Sequence, residues 1–131
     1  GQQKIYIREY VPLKKFMTGV NGMPVTNEFR IFVAFDEIVA FDYYWSNYLE
    51  DLKDIGVVPD KSKVPMNFVK EIIKKVNKQS NFYVIDIGQT ENGDWIVVEL
   101  NDGQCSGLSA IDPNYFYSRL FNIVKSELIK K

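Results

Sequence analysis

"FYVIDIGQTENGDWIVVELND", residues 82 to 102, is the stretch on which the reading of this chain turns. At its centre, Asn92-Gly93 marks a tight turn between two apolar runs. Such a pair favours a two-residue type I′ hairpin, because both turn residues need positive φ. With Asn92 and Gly93 as the loop, Glu91 faces Asp94 and Thr90 faces Trp95. Counting outward sets Asp86 opposite Glu99 and Val84 opposite Asn101. Strand alternation then puts Tyr83, Ile85, Ile87, Ile96, Val98 and Leu100 on one apolar side. Asp86, Glu99 and Asn101 share the other, each within about 5 Å of its cross-strand neighbour.

Like charges directly opposite each other destabilise a sheet unless something compensates them. The candidates are a bound cation, a proton shared by the pair, or an Arg or Lys inserted between them. Two carboxylates and an amide form an all-oxygen set that suits Mg²⁺, which takes few protein ligands and keeps water and phosphate oxygens. Two alternatives stand beside the metal: solvated acids on the wet face of an antiparallel sheet, or a register slip that separates them.

Working outward, Ile5 and Ile7 alternate with Tyr6 and Arg8, which predicts a strand ending near Pro12. Residues 12–27, rich in Gly, Asn and Pro, read as an irregular loop. "EFRIFVAF" and "EIVAFDYYW" predict a hairpin joined at Asp36-Glu37, and "SNYLEDLKDIG" a short helix stopped by Gly56. Val69, Ile72, Ile73 and Val76 recur at helical spacing after Pro65, which predicts a helix through about residue 78. Asp112-Pro113 caps a final helix with Tyr117, Leu120, Phe121, Val124 and Leu128 on one side. The pattern predicts an α+β fold, an antiparallel β-sheet with two or more helices packed on one face, as a single domain over residues 1–131.

Composition narrows the chemistry. The 131 residues carry a net charge of −1 with basic and acidic residues interspersed, which argues against a general nucleic-acid binder. No apolar run approaches a membrane span. The single cysteine, Cys105, excludes an internal disulfide and fits a reducing cytoplasm; without histidine beside it, an inert role is expected. The absence of histidine removes Ser-His-Asp and Cys-His triads and most zinc sites. Chemistry is left to carboxylates, Lys, Arg and an oxygen-bound metal. Arg30 shares a strand face with Glu28 and Phe32, where its simplest role is a cross-strand salt bridge. Tyr43, Tyr44 and Trp45 read as core or interface aromatics.

Asp86, then Glu99-x-Asn101 on the following strand, resembles the metal-binding end of the ATP-grasp superfamily. "IDIG…GDWIVVELNDG", "NEFRIFVAFDEIVA", "YIREYVPL" and "NDGQCSGLSAIDP" resemble segments of the ATP-grasp domain proteins of bacteria and phages. The resemblance runs from Ile5 to the final helix. It implies that Asp86, Glu99 and Asn101 hold Mg²⁺ against the phosphates of ATP, with Arg30 facing the γ-phosphate. It implies that Arg8, Glu9, Tyr10 and Val11 line the adenine side. The reaction implied is ATP-dependent joining of an unknown carboxylate substrate to an amine or thiol through an acyl-phosphate. Many such ligases carry an Arg two residues before the aspartate, where this chain has Val84. Their sites also lie between two lobes. The chain is therefore expected to be the C-terminal lobe of a longer protein, partnered by an N-terminal lobe and inactive alone. The alternative is a non-catalytic binding or interaction module that retains the fold.

Overall fold

The computed structural model describes residues 11–76 and 80–130. The strand expected over Ile5 and Ile7 lies outside them, as does the helix end expected near residue 78. Strands β3 (Glu28–Ala34), β4 (Glu37–Tyr43), β5 (Phe82–Gln89) and β6 (Trp95–Asp102) form one antiparallel sheet in the order β4-β3-β5-β6. A separate two-stranded sheet pairs β1 (Lys15–Thr18) with β2 (Pro24–Thr26), so the irregular loop expected over 12–27 is corrected to a small hairpin. Its turn holds Asn21 and Gly22 at positive φ, which is what the Asn-Gly pair there supplies.

The central strands β3 and β5 are buried on both faces. One face presents Phe29, Ile31, Tyr43, Ile85, Ile87 and Leu100 to α1 (Leu49–Asp54) and α2 (Met66–Lys75). Six residues cannot hold a helix alone. Leu52, fully buried among these side chains, fixes α1 in place, and Gly56 at φ +78° lets the chain leave it. In α2, Val69, Ile72 and Ile73 make the inward row, as the spacing predicts.

The α+β class and the pair of helices on one face hold, but the final helix is corrected to the opposite face. Asp112 caps α3 (Pro113–Ile129) by accepting from the Asn114 N–H at 3.1 Å. Phe116, Leu120 and Ile123 turn inward onto Phe32, Ala34, Ala40 and Val84, with the Phe116 ring edge-on to Phe32 at 4.9 Å. Tyr117, Phe121 and Leu128, expected inward, are each more than 60% exposed. With α1 and α2 already covering the first face, the apolar row Phe32, Ala34, Val84 needs its own cover. Two apolar stripes run along α3, and the one beginning at Phe116 meets that row.

The hairpin of the opening stretch keeps its predicted alignment by another route. Thr90 N–H bonds the Asp94 carbonyl at 2.7 Å, and Gly93 N–H bonds Thr90 at 3.0 Å. Only Gly93 of the pair Asn92-Gly93 has positive φ, so the turn is a three-residue loop ending in a left-handed glycine, not type I′. Near it, Gln89 pairs with Trp95 and Ile87 with Val97, one step off the expected register. A bulge at Val98 restores the count, and Asp86 pairs with Glu99 and Val84 with Asn101. Trp95 and Val97, rather than Ile96 and Val98, therefore pack on the α1–α2 face. The β3–β4 turn is Phe35-Asp36, both at positive φ, one residue earlier than expected.

Candidate functional site

The face beneath α3 is divided along its strands. At one end lie Phe32, Ala34 and Val84, under the helix. Two residues on, alternation places Arg30 and Glu28 of β3 and Asp86 and Gly88 of β5 on the same side, beyond the apolar row. Glu99 and Asn101 join them from β6. Three of the sequence-predicted site residues, Arg30, Asp86 and Glu99, thus meet across three adjacent strands, with Asn101 two residues from Glu99.

Arg30 and Asp86 are direct cross-strand partners joined by a fork. Arg30 Nε donates to Asp86 Oδ1 and Nη2 to Oδ2, both at 2.9 Å. The third nitrogen, Nη1, donates to the Gly107 carbonyl at 3.0 Å. The guanidinium also sits 4.8 Å from the centre of the Tyr44 ring. The pair is deep: Arg30 and Asp86 side chains are 12% and 3% exposed. Burial works against the charge on Arg30, but the bonds and charge of Asp86 prevail and raise its pKa. Burial likewise pushes Asp86 up, with the Arg30 fork pulling it back and Glu99 adding to the rise. Of the compensations open at the sequence level, an inserted arginine is the one present.

Glu99 and Asn101 are half-buried, and among the described residues their side chains form no hydrogen bond or ion pair. Val84, where related ligases carry an Arg, is fully buried in the core beneath α3 and offers no cation. Val11 is exposed at the far end of the same face, where Leu13 bridges Thr90 and the Glu91 N–H bonds the Pro12 carbonyl at 3.2 Å. Leu13 closes over Gly88: a Cβ on that glycine would stand 2.9 Å from Leu13 Cδ2. A hollow of about 420 Å³ beside this segment is lined by Lys14, Lys15 and the hairpin tip. Glu9 and Tyr10 lie outside the described residues.

Sequence reasoning missed two members. Glu28 is 8% exposed and accepts from the Thr26 hydroxyl. Its place two residues before Arg30 on one strand was the available signal. Tyr44 had none, since stacking on Arg30 depends on how β4 ends. Tyr43, by contrast, is core, its hydroxyl donating to the Thr26 carbonyl at 2.7 Å.

Burial, ahead of any other influence, raises the pKa of Glu28, and the charge of Asp86 adds to it. A carboxyl raised on folding binds its proton more tightly in the native state, so its contribution is fully present below the ordinary value and lost as pH rises through the folded value. Glu28→Gln is therefore expected to stabilise the protein at pH 7 by about 1 kcal/mol, with the gain vanishing below the ordinary carboxylate range. Urea denaturation at pH 7 and pH 4 checks the sign; a loss at pH 7 would show the ionised form to be the favoured one.

Glu28, Asp86 and Glu99 place three carboxylates around one guanidinium, an excess of negative charge that a dication would balance. The donors are all oxygen, which fits Mg²⁺ and not a softer metal. Among the described residues no group of three or more Asp, Glu, Cys or His converges; the set here is two carboxylates and an amide. No described helix is long and apolar enough to cross a membrane.

A family model for the ATP-grasp domain, the third family of its clade, matches residues 1–120. No curated protein and no solved structure matches the chain significantly.

Proposed function

Since this chain belongs to that ATP-grasp domain family, we propose that its polar half-face binds the phosphates of Mg²⁺-ATP in a carboxylate-activating ligase. The observation that carries the reading is the direct pairing of Asp86 with Glu99 beside Arg30 on one face. Asp86, Glu99 and Asn101 would hold the metal. When bound, Mg²⁺ neutralises phosphate charge and orients the transferring group.

The protein's own residues contribute positioning. Arg30 supplies a guanidinium to the γ-phosphate or the acyl-phosphate formed from it, where negative charge develops. Phosphoryl transfer needs no protein nucleophile, so a chain without histidine can support it. Val11 takes the adenine end, together with Glu9 and Tyr10. Thr90, beside that segment, lies four residues from Asp86 along β5, about 13 Å, a span that an extended nucleoside triphosphate bridges. A substrate carboxylate then attacks the γ-phosphorus and an amine or thiol displaces phosphate. An N-terminal lobe closing over this face, and a cytoplasmic setting, belong to the same proposal.

Titration of the ¹⁵N-labelled chain with Mg²⁺-ATP should shift the amides of Arg30, Asp86, Glu99 and Asn101 together, and Glu99→Gln should weaken the response at least fivefold. Shifts confined to other surfaces, or none at millimolar nucleotide, would favour the non-catalytic module that keeps the fold.

A further inference from the structure

We propose that Arg30 is the resident cation of the metal subsite, displaced from Asp86 by the incoming divalent ion, and that its departure releases the loop after β6. The inference rests on the metal reading above and extends it to what the site must give up.

The geometry makes the exchange necessary. Both oxygens of Asp86 already accept from Arg30 at 2.9 Å. A dication drawn to Asp86 and Glu99 would stand beside a guanidinium, with little water between them to screen the repulsion. One positive group must withdraw, and the arginine has a flexible stem. Its next acceptor is the phosphate that accompanies the metal, so the same side chain neutralises the acid in the empty site and the nucleotide in the filled one.

Withdrawal has a second effect, because Arg30 also donates to the Gly107 carbonyl at 3.0 Å. Around Gly107 little else holds the chain. A Cβ built there would meet no atom within 4 Å, and the residue is exposed. The neighbouring anchors stand to either side: the Ser106 hydroxyl on the Asp102 carbonyl, and Ile111 N–H on Leu108. Tyr44, stacked on the guanidinium, is the remaining restraint. Arg30 therefore couples the charge state of Asp86 to the order of residues 106–108. A site holding only its own arginine keeps this loop fastened; a site holding metal lets it move to meet a substrate.

The test uses Mn²⁺ as the probe, counted by the electron paramagnetic resonance signal of the free ion. Hydrogen exchange of the peptide spanning residues 103–111 is read with and without Mg²⁺. Arg30→Met is expected to bind Mn²⁺ about tenfold more tightly than the parent chain, having lost the competing charge. Its loop should exchange fast without metal and respond no further to Mg²⁺, whereas the parent loop should speed up when Mg²⁺ is added. Arg30→Lys keeps the charge and loses the fork; it should tighten Mn²⁺ binding by only about two- to threefold while freeing the loop, and it serves if the Met variant fails to fold. Arg30 variants that bind Mn²⁺ no better than the parent, in a protein where Glu99→Gln still abolishes binding, would overturn the exchange and leave the metal site standing. Absence of Mn²⁺ binding in the parent and both variants would overturn both.

Discussion

Replacing Asp86 with Ala lowers the unfolding free energy by about 3–5 kcal/mol, the range expected when one partner of a buried ion pair is removed and the other charge is stranded. Arg30 would be left with two donors aimed at empty space, 12% exposed and held by Tyr44 and the Gly107 carbonyl. The strand context makes escape hard, since β3 lies between β4 and β5. The companion change is more informative. Adding Arg30→Met to Asp86→Ala should recover about 2 kcal/mol or more, because an apolar pair of similar volume suits the site better than a lone cation. Urea denaturation with unchanged slope measures both. A loss below about 1 kcal/mol for Asp86→Ala would place the pair among weak, solvent-screened bridges and undo its structural role.

Gly103→Ala is expected to lower stability by about 2–3 kcal/mol through overpacking, and the melting temperature by roughly 6–10 °C. A Cβ at residue 103 would lie 2.6 Å from two atoms of the Phe82 ring. That ring cannot retreat easily, being stacked on Phe32 at 5.9 Å and tilted against Phe116 at 6.3 Å. The strain falls where β6 ends, two residues beyond Asn101, so the amide of Asn101 should shift in NMR spectra while those of α2 do not. Phe82→Leu in the same chain should restore part of the loss. If Gly103→Ala melts with the parent, the turn moves freely and the aromatic stack does not pin it.

The sequence carried the site further than its own turn chemistry justified. Asp86 does face Glu99, but two one-residue departures cancel: a loop one residue larger than the Asn-Gly pair suggests, and the extra Val98 in β6. Alternation is a robust signal and irregularities are not, because a bulge leaves no mark in composition. The same limit explains Trp95 and Val97. Conversely, Phe35-Asp36 adopts the left-handed pair of conformations that Asn92-Gly93 advertises, with no glycine to announce it. The helix beginning at Pro113 was legible in its cap and its periodicity. Its facing was not, since Tyr117, Phe121 and Leu128 form as good a stripe as Phe116, Leu120 and Ile123. What decides between them is the far side of a sheet, information that no local window contains. The Arg30–Asp86 fork depends on the register between strands about fifty residues apart in the chain, which alternation within each strand cannot set.

The burial of β3 and β5 on both faces has a consequence for how the site can flex. Arg30 and Asp86 are carried by those two sealed strands, whereas Glu99 and Asn101 ride on β6, an edge strand whose side chains are half-buried apart from Leu100. Local opening follows contact and solvent access. The oxygen donors therefore straddle a stiff wall and a compliant one: any widening or tightening of the gap falls to β6, while the arginine's side stays put.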